Sequence, residues 1–159
     1  GEREEYMSIQ ILSKDKLEEA LQLSWNGFSE FEAPDYSEEG IRTFQEFIEY
    51  STTAEQVEKK QKIFWGYYIE DALVGVIAIR DKSHISLLFV KKEYHRQGVG
   101  RQLVDAVLSY CNQKSDIKEL TVNSSPYATG FYHKMGFRDL GQQRIKDGII
   151  FTPMTHKVE

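Results

Sequence analysis

Three features of the chain predict an α+β fold. Apolar residues recur at helical spacing through most of the first 60 positions. Runs rich in aromatic and β-branched residues, each of strand length, follow from Ile63 to Val90. A helical stripe, a short strand, a further helical stretch and a hairpin then alternate to the C-terminus. Helices first, an antiparallel meander next and alternating elements last are the order of a sheet with segregated helices, not of repeated βαβ units.

The elements follow from local signals. Ser8 to Leu12 alternates and reads as a short first strand. Ser13 is placed to cap a helix from Lys14, with Leu17, Leu21, Trp25 and Phe28 as its stripe. Phe31 to Tyr36 interrupts the pattern, because Pro34 disfavours helix in the residue before it. Ser37 is the next cap, ahead of an apolar face of Ile41, Phe44, Phe47 and Ile48. Ala54 to Lys62 is a third helical piece, charged enough to be solvated.

Ile63 to Glu70 and Leu73 to Arg80 read as an antiparallel hairpin across Glu70-Asp71, and His84 to Val90 as a third strand. Gly98 to Asn112 is a helix whose stripe is Leu103, Val104, Val107, Leu108 and Cys111. Glu119 to Asn123 is a short strand, and Pro126 to Met135 a helix stopped by Gly136. Phe137 to Lys146 and Ile149 to His156 flank Asp147-Gly148, a two-residue hairpin signal.

Composition bounds the function. The chain has 159 residues, the size of one domain, and is 40% hydrophobic and 13% aromatic, enough for a core. Twenty basic against 25 acidic residues, a net charge of -5, argue against a general nucleic-acid binder but leave room for a local basic pocket. Apolar stretches such as Ala72 to Ile79 are too short to span a bilayer, and no basic start leads into an apolar run like that of a signal peptide. One cysteine, Cys111, allows no internal disulfide; on its helical stripe it reads as a small core residue. With four scattered histidines, no metal site is expected. A reducing, cytoplasmic setting follows as an expectation, with no nucleic-acid or membrane partner. Gly1 in place of methionine points to a processed or engineered start, and Gly1 to Tyr6 is expected to be partly mobile.

The most informative segment runs from Leu88 to Arg101. An apolar strand, Leu88-Phe89-Val90, enters a polar loop, and Gly98 and Gly100 open an amphipathic helix. Glycines there allow a sharp turn and close approach of a ligand. The free N–H groups of a helix start, with the macrodipole, attract an anion, and Arg96 and Arg101 add positive charge. A glycine-rich connection with solvated arginines is the other reading. The Lys-Ser/Thr pair of a P-loop is missing, and Leu103 stands where a dinucleotide fingerprint has its third glycine.

His95-Arg96-Gln97-Gly98-Val99-Gly100 resembles the acetyl-CoA-binding motif of the GNAT superfamily of N-acetyltransferases, with His95 where the family has Gln or Arg. Asn123 to Phe137 is similar to the family's later motif, a strand-end Asn followed by a helix ending in Tyr-x-x-x-Gly-Phe, here Tyr132 to Phe137. The resemblance covers Ile63 to Val158 well and the first 60 residues in outline.

The resemblance implies a mixed, mainly antiparallel sheet with splayed middle strands and helices on both faces. It implies an acetyl-CoA-dependent N-acetyltransferase acting on a primary amine of a small molecule or peptide, by direct attack in a ternary complex without metal. Leu88, Phe89 and Val90 match the pantetheine contacts, and His95, Arg96, Gln97, Gly98, Val99, Gly100 and Arg101 the pyrophosphate contacts. Asn123 matches a pantetheine partner, or is a strand-end turn residue. Ser125, Tyr127 and Lys134 are further candidates to line the cofactor site, although Ser125-Pro126 also reads as an ordinary helix start. Tyr132 matches the general acid that protonates the departing thiolate, or is an amphipathic core tyrosine.

His84 falls where histone-acetylating members carry a general base, or is a solvated strand-start histidine. His133 is expected at the surface. The family places Phe28, Phe31, Glu32, Asp35 and Tyr36 over the acceptor cleft, where the acids would hold a cationic amine; the other reading is a solvated helix–helix loop. A non-catalytic acyl-CoA-binding module and an acyltransferase using a longer acyl group remain open. So does the choice of monomer or homodimer.

Overall fold

The computed structural model describes residues 6–159. The expected mobile start therefore lies mostly outside the described residues. Strand β1 is Met7–Ile11, and helix α1 is Leu17–Phe31, entered by a 3-10 turn at Lys14–Lys16. The Ser13 hydroxyl binds the Asp15 carboxylate rather than capping the helix backbone. Pro34 ends the helical run as expected, in a 3-10 turn at Ala33–Asp35. Helix α2 is Glu38–Phe47, where the Gly40 N–H donates to the Ser37 hydroxyl at 3.2 Å. Helix α3 is Tyr50–Glu58, earlier than expected, because Glu49 caps it by accepting from the Ser51 and Thr52 N–H groups. It is not simply solvated: Thr53 and Ala54 are buried.

The meander is β2 (Lys62–Ile69), β3 (Ala72–Arg80) and β4 (His84–Val90). Helix α4 is Val99–Asn112, β5 is Glu119–Ser124 and α5 is Thr129–Lys134. The expected strand from Phe137 to Lys146 is two pieces, β6 (Arg138–Asp139) and β7 (Arg144–Lys146), both paired with β8 (Ile149–Lys157). Asp147 and Gly148 both have positive φ, 52° and 78°, as the tight hairpin turn demands.

The sheet order is β1-β2-β3-β4-β5-β8-β6, with β7 pairing only β8 among the described residues. All pairs are antiparallel except β4 with β5. Strand β3 shows why the sheet is central. Leu73, Val76 and Ala78 pack under α1 and α3, whereas Val74, Ile77 and Ile79 pack under α4. Both faces are covered, so the strand reads as one apolar run instead of an alternation. Cys111 is fully buried in the second of these layers.

Candidate active site

The sheet opens between β4 and β5, and the opening has a local cause. The two strands pair only at His84 with Thr121 and Ile85 with Val122. Opposite β3, Ile79 faces Ile85 and Ala78 faces Leu87, which leaves Ser86 as an extra residue in β4. Such a bulge bends its strand and increases the local twist. Beyond it the strands part, and a cleft of about 760 Å³ fills the gap.

One end of the cleft suits an anion. Gly98 stands before α4 at φ 84°, and Arg96 also takes a left-handed backbone at φ 63°. The first N–H groups of α4 have no partners within the helix. Arg96, Gly100 and Arg101 line this end. A Cβ on Gly100 would stand 3.4 Å from the Phe131 ring, so a larger side chain would crowd the cradle. Imidazole Nε2 of His95 donates to the Val90 carbonyl at 2.7 Å, which ties the loop to the end of β4. Donors, cations and a bare backbone together fit a phosphate group.

Tyr132 lines the cleft. Its ring packs edge-on against Phe137, with centroids 5.1 Å apart, and only 3% of the residue is exposed. Burial, and then the charge of Glu32, push its phenol above the usual tyrosine range. The hydroxyl therefore stays protonated at neutral pH.

The far wall comes from α1 and α2. Glu32 caps the C-terminal end of α1 and faces the cleft. Burial pushes its carboxyl up to about 7, while the Ser125 hydroxyl pulls the other way. Tyr36 donates its hydroxyl to the Ile150 carbonyl at 3.2 Å; burial first and Glu32 second push its phenol up to about 12. Phe31 leans back toward the cradle, stacking on Tyr127 at 5.4 Å and meeting His95 at 5.0 Å. It thereby bridges α1 to the two loops at the anion end.

Most of the residues singled out from sequence meet here. Phe28, Phe31, Glu32 and Tyr36 line the cleft with Leu88, Phe89 and Val90. So do His95, Val99, Gly98 and Asn123, as well as Ser125, Tyr127 and Lys134. Three expected residues lie elsewhere. Gln97 is exposed and donates its side-chain amide to the Glu93 carbonyl. Asp35 is exposed in the 3-10 turn and is not part of the wall.

His84 sits at the paired, closed end of β4 and β5, with Nδ1 2.8 Å from the Thr121 hydroxyl. Burial first and Arg80 second hold its pKa down at about 4. His84, expected as the proton acceptor, is therefore not among the residues lining the cleft, whereas its neighbours Ile85 and Ser86 are. His133 is at the surface, beside Asp139.

Phe44, Ser86 and Ile150 are wall residues that sequence reasoning did not assign to the site. Phe44 belongs to an ordinary apolar stripe, and a bulge leaves no compositional trace at Ser86. For Ile150 the signal was only the hairpin itself.

A family model described as acetyltransferase (GNAT) domain matches residues 32–158. The chain belongs to the GNAT family of acetyltransferases. This GNAT chain is 34% identical over 111 residues to the N-acetyltransferase YafP of Escherichia coli, covering 70% of this chain and 67% of that protein. It is 27% identical over 151 residues to the protein YyaT of Bacillus subtilis, covering 93% of each. Among solved structures, the PaiA N-acetyltransferase of Thermoplasma acidophilum, in complex with coenzyme A, superposes with a TM-score of 0.78 at 23% identity, covering 96% of this chain and 99% of that one. At that identity the likeness is one of fold. The chain is thus a GNAT-type N-acetyltransferase, and its β4 and β5 part beside the glycine turn.

Proposed function

We propose that the chain moves an acetyl group from acetyl-CoA to a primary amine by direct attack in a ternary complex. The observation that carries this reading is one cleft lined both by Tyr132 and Glu32 and by the anion cradle of the glycine turn. Acetyl-CoA supplies the acetyl thioester and a phosphate-bearing handle. Backbone N–H groups of the glycine turn, with Arg96 and Arg101, would hold the pyrophosphate. The parted edge of β4 from Leu88 to Val90 offers backbone groups to the pantetheine as to an added strand. The backbone at the Ser86 bulge would polarise the thioester carbonyl.

Glu32, the one acid among the described residues lining the cleft, would receive the ammonium. Its carboxylate takes one proton, which frees the nitrogen lone pair. The C–N bond forms, the C–S bond breaks, and the C–S electron pair goes to sulfur. Tyr132 gives sulfur a proton and is made whole by the second proton leaving the nitrogen. Glu32 returns its proton to solvent.

Tyr132→Phe tests the reading, because it keeps the ring and deletes the proton. With an accepted amine, thiol release should fall about 10²–10⁴-fold in kcat, with little change in acetyl-CoA affinity, since the interaction develops in the transition state. Near-normal turnover would make Tyr132 a packing residue. Coenzyme A binding without thiol release from acetyl-CoA in the presence of any amine would favour a non-catalytic module.

A further inference from the structure

The amine-side wall of the cleft is built of rings. Phe28 and Phe44 stack at 4.0 Å with their planes 14° apart, and Tyr36 meets Phe28 edge-on at 5.4 Å. Phe89 meets Phe44 at 5.8 Å and reaches that position because α1 carries Gly27 opposite it. A Cβ there would stand 2.8 Å from the Phe89 ring. The wall is also held in place from behind. A Cβ on Gly40 of α2 would stand 2.3 Å from the Gly148 carbonyl oxygen, so helix and hairpin touch backbone to backbone. Thr43 reinforces the contact by donating to the Asp147 carbonyl at 2.7 Å.

Charge on this wall is scarce. Among the described residues lining the cleft, Glu32 is the only acid, and the basic residues Arg96, Arg101 and Lys134 belong to the glycine turn and α5. The Tyr36 hydroxyl is already spent on Ile150. The stacked faces of Phe28 and Phe44 are occupied by each other, which leaves those faces unavailable to a second cation.

We propose that the acceptor is a primary amine carried on an uncharged, apolar body, with the nitrogen on Glu32 and the body among Phe28, Tyr36, Phe44, Phe89 and Ile150. The proposal rests on the acetyl-transfer reading above and adds the class of acceptor. The physical reasons are two. A second ammonium, as in a polyamine, would be desolvated against rings without a counter-charge. A carboxylate beside the amine, as in a free amino acid, would meet Glu32 at close range with like charge. A methylene chain or a ring loses only water and gains contact.

The test measures thiol release from acetyl-CoA with propylamine through hexylamine and phenethylamine, against 1,4-diaminobutane, spermidine and lysine. Along the alkylamines kcat/KM should rise about three- to four-fold per methylene, as burial of each group predicts, and the three charged acceptors should be poorer than hexylamine. Ile150→Glu, checked for folding by circular dichroism, places a second acid on the wall. It should lower kcat/KM for hexylamine by about tenfold or more and raise that for 1,4-diaminobutane. Thiol release that is flat along the series, or highest with spermidine or lysine, would leave acetyl transfer standing and overturn the apolar acceptor. Unchanged selectivity in folded Ile150→Glu would likewise remove this wall from the acceptor site. No release with any amine would overturn both readings.

Discussion

At the scale of the residue, Glu32 is the one acid among the described residues lining the cleft, and its chemistry departs from ordinary behaviour. It follows the last turn of α1, inside a wall of rings, and burial lifts its pKa to about 7. Below that value the carboxyl is neutral and can neither hold an ammonium nor take its proton. The rate should therefore rise as pH passes upward through about 7. Glu32→Gln keeps the shape and removes the titration. Its kcat/KM should fall about 10²–10⁴-fold, and the limb near 7 should vanish from the pH–rate profile. A limb that persists in the variant would assign the titration to another group.

At the scale of the element, the glycine turn and the bulge divide the work. The bulge at Ser86 opens the sheet, and the turn before α4 furnishes the cradle. The two glycines are not equivalent. Gly98 has φ 84°, so any side chain there strains the turn itself. Gly100 lies within α4 without positive φ and faces Phe131. Gly100→Glu should thus leave the fold intact while placing bulk and negative charge at the proposed pyrophosphate cradle. Calorimetry should show coenzyme A affinity falling about 100-fold or more, the scale expected when a like charge opposes a desolvated anion. Unchanged affinity in a folded variant would exclude the turn as the pyrophosphate site.

At the scale of the whole molecule, the cleft is held between two packed layers, and its half-buried acid bears on stability. A carboxyl whose pKa is raised on folding favours the folded state only while protonated. That contribution is complete below the ordinary value of 4.5 and is lost as pH rises to about 7. The loss is at most about 3.5 kcal/mol at roughly 1.4 kcal/mol per unit. Glu32→Gln should accordingly raise the melting temperature at pH 8, with the difference shrinking toward pH 4. An equal difference at both pH values would show that Glu32 is not desolvated in the folded chain.

Much of this was legible along the chain. The meander, the His84–Val90 strand, the α4 stripe and the Asp147-Gly148 turn are local signals, because spacing and turn chemistry act over a few residues. Glycines at a helix start and Tyr132 before Gly136-Phe137 carried the family in the same way. The sequence by itself thus determined the element order, the glycine turn and the family resemblance. Only the tertiary structure decided where the strands part, since a bulge at Ser86 exists only relative to β3. It also decided that His84 lies at the closed end of the sheet and that Glu32 lies in the cleft while Asp35 does not. The rings of Phe28, Phe44 and Phe89 come from three separate elements. Their meeting depends on long-range packing of α1 and α2 against the sheet and its hairpin, which periodicity within any one segment does not encode.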